Sequence, residues 1–390
     1  MGLASPPPLW QLPGPHTDRR CRSSVVEHSL GKGEVESSIL SGSTIRPFFG
    51  PRVLPDNLDK HAGPFGRAFR MSAPSSPLAL VTGANGFVGR AVVDSLRARG
   101  WRVRAALRSG SVEGTERALV GDLTGPVDWP SHLDGVTAVV HLAARTHVMR
   151  EDPGHAESAY RAINVEATRR LAEAAVEAGV RRFVHLSSVK ALGERSNPGR
   201  PLTDRDEPAP EGPYGATKLE AERLLAALPL ESVSLRPPLV YGPGVRANFL
   251  ALMGLVARGV PLPFGALENR RSLIAVGNLA DAVATAVTAA QATGTYLVTD
   301  GDAVSTPELV RAIARAMNRP ARLLPVPPSL FRPLQALPGV GPAVSRLTGS
   351  LELDGSRFRD DFGWRPPLTM ERALARTAAW YLSGRSRAGS

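Results

Sequence analysis

A chain of 390 residues with 43% hydrophobic and 21% charged residues can hold two domains, or one large decorated α/β domain, and its composition excludes a disordered or fibrous protein. The net charge of +11 does not signal a nucleic-acid partner, because basic residues are spread thinly and aromatics make up only 5% of the chain, too few for a base-stacking surface. One cysteine, Cys21, excludes an internal disulfide and suits a reducing, cytoplasmic setting. No Cys/His cluster has zinc-ligand spacing, and no run of roughly 20 apolar residues could cross a membrane. A modest positive excess also suits a small anionic ligand such as a dinucleotide or a diphosphate sugar.

Residues 1–70 hold nine prolines and eight glycines and keep no hydrophobic period. They read as a disordered extension, with residues 1–74 set apart from the folded part. Six acidic residues argue against a transit peptide. The stretch from Cys21 to Ile45 resembles the spurious peptide obtained when a transfer-RNA gene is translated, which makes Met71 the expected true start.

From residue 77 strands and helices alternate. Leu78–Thr82 reads as the first strand, Gly86–Arg99 as a helix, Arg102–Leu107 as the second strand and Ala118–Val120 as a short third. Val136–Ala143, apolar on both faces, reads as a buried parallel fourth strand. A long helix is expected over 156–178, a strand at Phe183–Ser187, a helix at Tyr214–Ala227 and a sixth strand at Val233–Arg236. Further on, Asn248–Arg258, Asn278–Gln291 and Pro307–Met317 read as helices and Thr295–Thr299 as a strand. Residues 319–343, rich in Pro and Leu, stay unassigned, as a segment that could form a lid. The alternation predicts an α/β fold: a Rossmann-type doubly wound parallel sheet over 75–245 and a smaller, mainly substrate-binding C-terminal part over 246–385.

Between the first strand and its helix stand Gly83, Gly86 and Gly89, spaced G-x-x-G-x-x-G. Such glycines permit a tight turn and close approach of a pyrophosphate, and the helix N-terminus offers free N–H groups to the anion. An ordinary strand–helix turn would also use them; the strand before and helix after favour the phosphate reading. The second strand ends without the carboxylate that would bind the 2′-hydroxyl of NAD. Arg108 stands there instead and favours the 2′-phosphate of NADP, so either cofactor fits. Asp122, in Gly121–Thr124, can accept from an adenine amine. His141, Leu142, Ala143 and Ala144 end the fourth strand, where small residues admit a cofactor; His141 itself reads as a packed histidine rather than a catalyst.

Tyr214 and Lys218 lie four apart on an expected helix, hence on one face. An ammonium beside a phenol favours the phenolate, a general base toward an alcohol. The chain has four lysines against 43 arginines, so a lysine at this position is not compositional drift. A serine at the end of the fifth strand, Ser187 or Ser188, would hold the reacting oxygen.

Together TGANGFVG, LSSVKALG and YGATK resemble the extended short-chain dehydrogenase/reductase family, and within it the NAD-dependent epimerase/dehydratase group with its UDP-glucose and UDP-N-acetylglucosamine 4-epimerases. The resemblance covers about residues 77–383 and includes RPPLVYGPG, RRSLIAVGNLADAV and FGWRPP. It implies Tyr214 as catalytic base, Lys218 on the cofactor ribose, and Ser188 on the substrate hydroxyl. It places Phe87 and Val88 on the pyrophosphate, Asp122 and Leu123 near adenine, Asn164 in the cofactor site and Pro238 against the nicotinamide. It assigns Arg271 and Asn248 to the sugar nucleotide, although a surface charge and a helix N-cap are their plainer readings. The implied partner is a nucleotide sugar, and the implied assembly a homodimer through the helices at 156 and 214.

Two residues depart from the pattern: Arg108 replaces an acidic strand end, and Leu239 stands where such epimerases often carry asparagine. The expected reaction is 4-epimerisation: Tyr214 takes the proton of the sugar 4-hydroxyl while C4 gives hydride to the nicotinamide, and the 4-keto sugar turns over and is reduced on its other face. The alternatives are a single NADPH-dependent reduction of a 4-keto-6-deoxy sugar and a catalytically silent NADP-sensing protein. A dehydratase is disfavoured because Val189 and Lys190, not an acidic residue, follow Ser188.

Overall fold

The computed structural model describes residues 76–388, apart from 147–152, 198, 290–292, 336 and 338–340. The expected extension and the start at Met71 lie outside the described residues.

The first half runs β1 (Leu78–Thr82), α1 (Phe87–Ala98), β2 (Arg102–Leu107), β3 (Glu116–Leu119), α2 (Trp129–Leu133), β4 (Ala138–His141), α3 (Pro153–Arg161), α4 (Ala167–Glu177), β5 (Arg182–Leu186), α5 (Pro213–Ala227) and β6 (Glu231–Arg236). The second half runs β7 (Leu239–Tyr241), α6 (Ala247–Ala257), β8 (Leu273–Ala275), α7 (Val276–Thr288), β9 (Gly294–Leu297), α8 (Thr306–Ala316), α9 (Arg332–Gln335), α10 (Gly341–Thr348), α11 (Ser356–Asp361) and α12 (Met370–Ala388).

Seven strands form one parallel sheet in the order β3-β2-β1-β4-β5-β6-β9. Both faces are covered. Ala79, Val81, Val140 and Val184 pack with Val92, Leu96 and the α7 residues Leu279 and Val283. On the other face Leu78, Leu80, Val139 and Phe183 meet Leu133, Leu171, Ala175 and Leu225. Burial on both sides is why these strands read as continuous apolar runs. β7 and β8 make a separate parallel pair. Tyr241, Phe249, Met253, Ile313 and Leu374 build the core of the C-terminal part. The last strand of the main sheet, β9, and the helix α7 that packs on α1 both come from sequence after residue 245.

The long helix expected at 156–178 is interrupted. Residues Ala162–Glu166 form a π turn between α3 and α4, with Asn164 and Val165 buried. A π turn widens the helix by one residue per bond and rotates a side chain out of the regular stripe. Segment 319–343 contributes a 3-10 turn at Pro328–Phe331, α9 and the start of α10, packed on one another. No helix among the described residues is long and apolar enough to cross a membrane.

Candidate active site

The strand order reverses between β1 and β4, where β1 leads outward to β2 and β3 and β4 leads to β5 and β6. A crevice opens outside the carboxyl ends of strands at such a switch point, and open α/β sheets bind ligands there. The glycine turn closes one side. Gly83 has φ +67°, and a Cβ on it would stand 3.0 Å from the Ala143 nitrogen. A Cβ on Gly89 would stand 2.0 Å from the Gly83 oxygen, so only glycine lets α1 sit this close to the turn. Gly86 is the N-cap of α1 and no side chain caps that end, which leaves the first-turn amides of Phe87, Val88 and Gly89 for an anion. The cradle fits a dinucleotide pyrophosphate.

The other side is the β5–α5 unit. Pro213 occupies the first turn of α5, and Tyr214 and Lys218 follow one turn apart. Ser188 is hydrogen-bonded to the Tyr214 phenol, and its hydroxyl oxygen also accepts from the Lys190 amide at 3.2 Å. Ser187 points elsewhere and donates to the Glu222 carboxylate. The two neighbouring serines are thus assigned by geometry, with Ser188 the one facing the phenol. The Tyr160 ring packs 6.2 Å from that of Tyr214.

The charges differ from the expectation. Tyr214 is pushed up to about 12, chiefly by burial, with Ser188 pulling the other way. Lys218 is fully buried and pushed down to about 8, with burial the larger cause and Glu222 opposing it. The ammonium donates to the Leu186 carbonyl at 2.7 Å and lies 3.3 Å from His185 Nε2. Desolvation outweighs the Ser188 bond, so Tyr214 is a protonated phenol at neutral pH.

Two expected cofactor contacts are occupied by the protein itself. His141 is 1% exposed; its Nδ1 accepts from Thr82 Oγ1 at 2.8 Å and its Nε2 meets Thr168 Oγ1 at 3.0 Å. Burial first, then Lys218, pushes the ring down to about 3, so it stays neutral. Asn164 is also 1% exposed. Its Oδ1 accepts from the Arg145 amide, and its Nδ2 donates to the Arg145 carbonyl and to Thr217 Oγ1. Asn164 therefore ties the loop after β4 to the helix carrying Tyr214, rather than meeting a ligand. The Leu142 and Ala143 amides both donate to Thr82 Oγ1 at 3.1 Å. The loop Leu142–Ala144 stays half-buried beside Gly83, and Pro238 is buried two residues beyond β6.

At the adenine end, Asp122 is exposed beside the half-buried Leu123 and accepts from the Thr124 amide and hydroxyl. Those bonds, with exposed Arg108 adding a smaller pull, hold its carboxyl below the usual range.

Leu239, Asn248, Arg271 and Arg346 line a separate pocket in the C-terminal part. Asn248 is exposed at the second position of α6, whose N-cap is Arg246, so it is not the capping residue. Arg271 is not a surface charge either. It donates to the Gly349 carbonyl at 2.9 Å, and burial followed by repulsion from Arg346 lowers its pKa. Arg346 carries no sequence signal of its own: α10 begins inside the unassigned Pro/Leu segment and only its first residues overlap it. A 560 Å³ cavity on the far side of the glycine turn, lined by Phe87, Arg90, Arg246 and Trp380 among others, contains none of the Ser188, Tyr214 and Lys218 group.

Residues 79–298 match the NAD dependent epimerase/dehydratase family. The chain belongs to that family. A UDP-glucose 4-epimerase of Vibrio cholerae is 41% identical over 317 residues, spanning 79% of this chain and 96% of the relative. A 3-diazoavenalumate denitrifying reductase of a Streptomyces species is 32% identical over 306 residues, spanning 74% and 95%. Among solved structures, MoeE5 in complex with UDP-glucose and NAD is 29% identical with a TM-score of 0.62, covering 79% of this chain and 99% of that one. The family match ends one residue beyond β9, and so includes the glycine turn, Ser188, Tyr214, Lys218, Asn248 and Arg271 but leaves out Arg346.

Proposed function

We propose that this family member is an NAD-dependent 4-epimerase of a nucleotide-activated hexose or N-acetylhexosamine. The observation that carries the reading is the Ser188–Tyr214–Lys218 group, set just past the end of β5 and on α5, near the switch point that holds an uncapped glycine turn. The V. cholerae relative and the MoeE5 complex supply the substrate class and NAD.

The glycine turn and the α1 amides would hold the pyrophosphate, and Lys218 the ribose. Bound NAD supplies a hydride acceptor that later returns the hydride. Tyr214 removes the proton of the sugar 4-hydroxyl and gives it back after the 4-keto sugar has turned. Ser188 holds the reacting oxygen against the phenol. Arg271 and Arg346 grip the diphosphate, with Asn248 at the pocket rim, and Leu239 offers an apolar side chain where an asparagine would offer a hydrogen bond.

One observation favours a second reading. Arg108 stands where a carboxylate would select NAD, which suits a single NADPH-dependent reduction of a 4-keto-6-deoxy sugar, and the Streptomyces relative bears a reductase name. We assign the protein to the cytoplasm on its single cysteine, and propose a homodimer through α4 and α5.

The test is to purify the protein, release and identify any retained cofactor, and supply UDP-hexoses with and without NADPH. Interconversion without added cofactor supports the epimerase. Stoichiometric NADPH consumption with a 4-keto sugar selects the reductase, and binding of NADP with neither reaction discards both.

A further inference from the structure

The proposed reaction leaves unused a row of polar side chains beneath Tyr214 and Lys218. Parallel register sets Thr82, His141, His185 and Ser234 side by side across β1, β4, β5 and β6. All four are buried in an apolar layer, where polar groups are costly unless bonded. Thr82 bonds His141, the His141 and His185 rings stack at 6.1 Å, and His185 Nδ1 lies 3.3 Å from Ser234 Oγ. The remaining nitrogen of His185 faces Lys218 Nζ at 3.3 Å. An ammonium can only donate, so Nε2 carries the lone pair and Nδ1 the hydrogen, given to Ser234. Burial first, then Lys218 and His141, hold His185 well below the usual imidazole range, so the acceptor is neutral.

We propose that His185 is a positioning residue of the catalytic pair: its Nε2 lone pair fixes the Lys218 ammonium one turn from Tyr214 and draws the pair's shared proton toward the lysine. The inference rests on the epimerase reading of the same site. A charge-assisted bond is stronger than a neutral one, so an acceptor on Nζ favours ammonium over amine. With one proton left on the pair, a proton on lysine means a phenolate on Tyr214, the form that acts as base. The Leu186 carbonyl also accepts from Nζ, at 2.7 Å, but it is main chain and stays in place whatever stands at 185; no other side chain around Nζ replaces His185. Glu222 lies one turn further along α5, but its carboxylate is committed to Arg236 on β6 and to Ser187, just past the end of β5. His141 on β4 is neutral and bonded to two threonines.

His185→Phe removes the acceptor and His185→Gln keeps an oxygen acceptor. Both are compared with wild type for cofactor content, thermal melting and the pH dependence of kcat and kcat/KM with the nucleotide sugar. The phenylalanine variant should keep its cofactor, lose at least about tenfold in kcat, and show the acid limb of kcat/KM moved to lower pH, since the ammonium gives up its proton sooner. Glutamine should restore most of both. A phenylalanine variant with unchanged rate and limb overturns the inference, and so does one that loses rate with the limb unmoved, the mark of a merely structural role. If the phenylalanine variant does not fold, His185→Leu gives a second comparison without a side-chain acceptor. If wild-type protein interconverts no sugar nucleotide, the epimerase reading fails separately. The phenolate ultraviolet titration of Tyr214 then decides, and identical titrations for wild type and the acceptor-free variant overturn the inference.

Discussion

A buried phenol one turn from a buried lysine is best treated by counting protons. With Tyr214 pushed up to about 12 and Lys218 pushed down to about 8, the pair holds two protons below about 8 and one above it. Phenol plus amine and phenolate plus ammonium carry the same charge, so the active form is reached by moving the remaining proton, not by removing another. In protein stripped of cofactor and reloaded at each pH, kcat/KM should therefore rise with pH and level off near 8; a profile flat from 6 to 9 contradicts this count. Tyr214→Phe should cost at least about 100-fold in sugar interconversion, as expected for loss of a general acid/base, with cofactor content unchanged. An activity within tenfold of wild type removes the phenol from the chemistry.

Two elements hold this pair in place, and each carries its own buried charge. On α5 and β6, Glu222 and Arg236 form a bidentate pair, 2.6 and 3.0 Å, with side chains 4% and 6% exposed. Breaking a buried pair strands the other charge and costs about 3–5 kcal/mol, whereas replacing both by apolar groups is often neutral. Glu222→Leu should lower the denaturant midpoint sharply, and the double variant Glu222→Leu/Arg236→Met should recover most of it. Equal losses in both would assign the pair a net stabilising role instead. The loop before α5 is clamped by Asp204, whose Oδ1 accepts from the Leu297 amide at 2.6 Å while buried Oδ2 has no hydrogen-bond partner. Burial, the largest cause, raises this carboxyl from 3.8 to about 6. The folded state then binds the proton more tightly, so its ionised form destabilises the fold above about 6 and the deficit vanishes as pH falls below 3.8. Asp204→Asn should raise the melting temperature by a few degrees at pH 8 and leave it unchanged at pH 3.5; an equal shift at both would exclude titration as the cause. These elements also mark what the sequence can reveal. The bounds of β1 are legible because a doubly buried strand leaves a plain apolar run, and those of β2 because its arginines alternate with apolar residues. β7 and β8, three residues each, are too short to show a period, and α12 buries mainly small residues, Ala373, Thr377 and Ala378 beside Leu374, so it leaves no strong stripe. The Tyr214–Lys218 spacing was legible because it is local. His141 was legible as a packed histidine, which its burial bears out, but the roles of Asn164 and His185 were not, since what occupies their polar atoms depends on a π turn and on register between strands far apart in sequence.

At the scale of the whole molecule, chemistry and anion recognition come from different layers of the chain. The turn after β5 supplies Ser188 and α5 supplies Tyr214 and Lys218, while Asn248, Arg271 and Arg346 reach their pocket from α6, the segment entering β8, and α10. Burial, and then repulsion from Arg346, lowers the Arg271 pKa, and an anion between the two guanidinium groups would relieve both costs. A ligand that binds only the folded state raises its stability in proportion to the logarithm of its concentration over Kd. UDP alone, without sugar, should therefore raise the melting temperature, and less so as salt increases. Arg346→Ala should abolish most of that shift and raise KM for the sugar nucleotide at least about tenfold. It should leave kcat within a few-fold and cofactor content intact, because an interaction made equally in ground and transition state acts on KM alone. A fall in kcat with KM unchanged would instead place Arg346 on the reacting sugar and move the diphosphate elsewhere in the crevice.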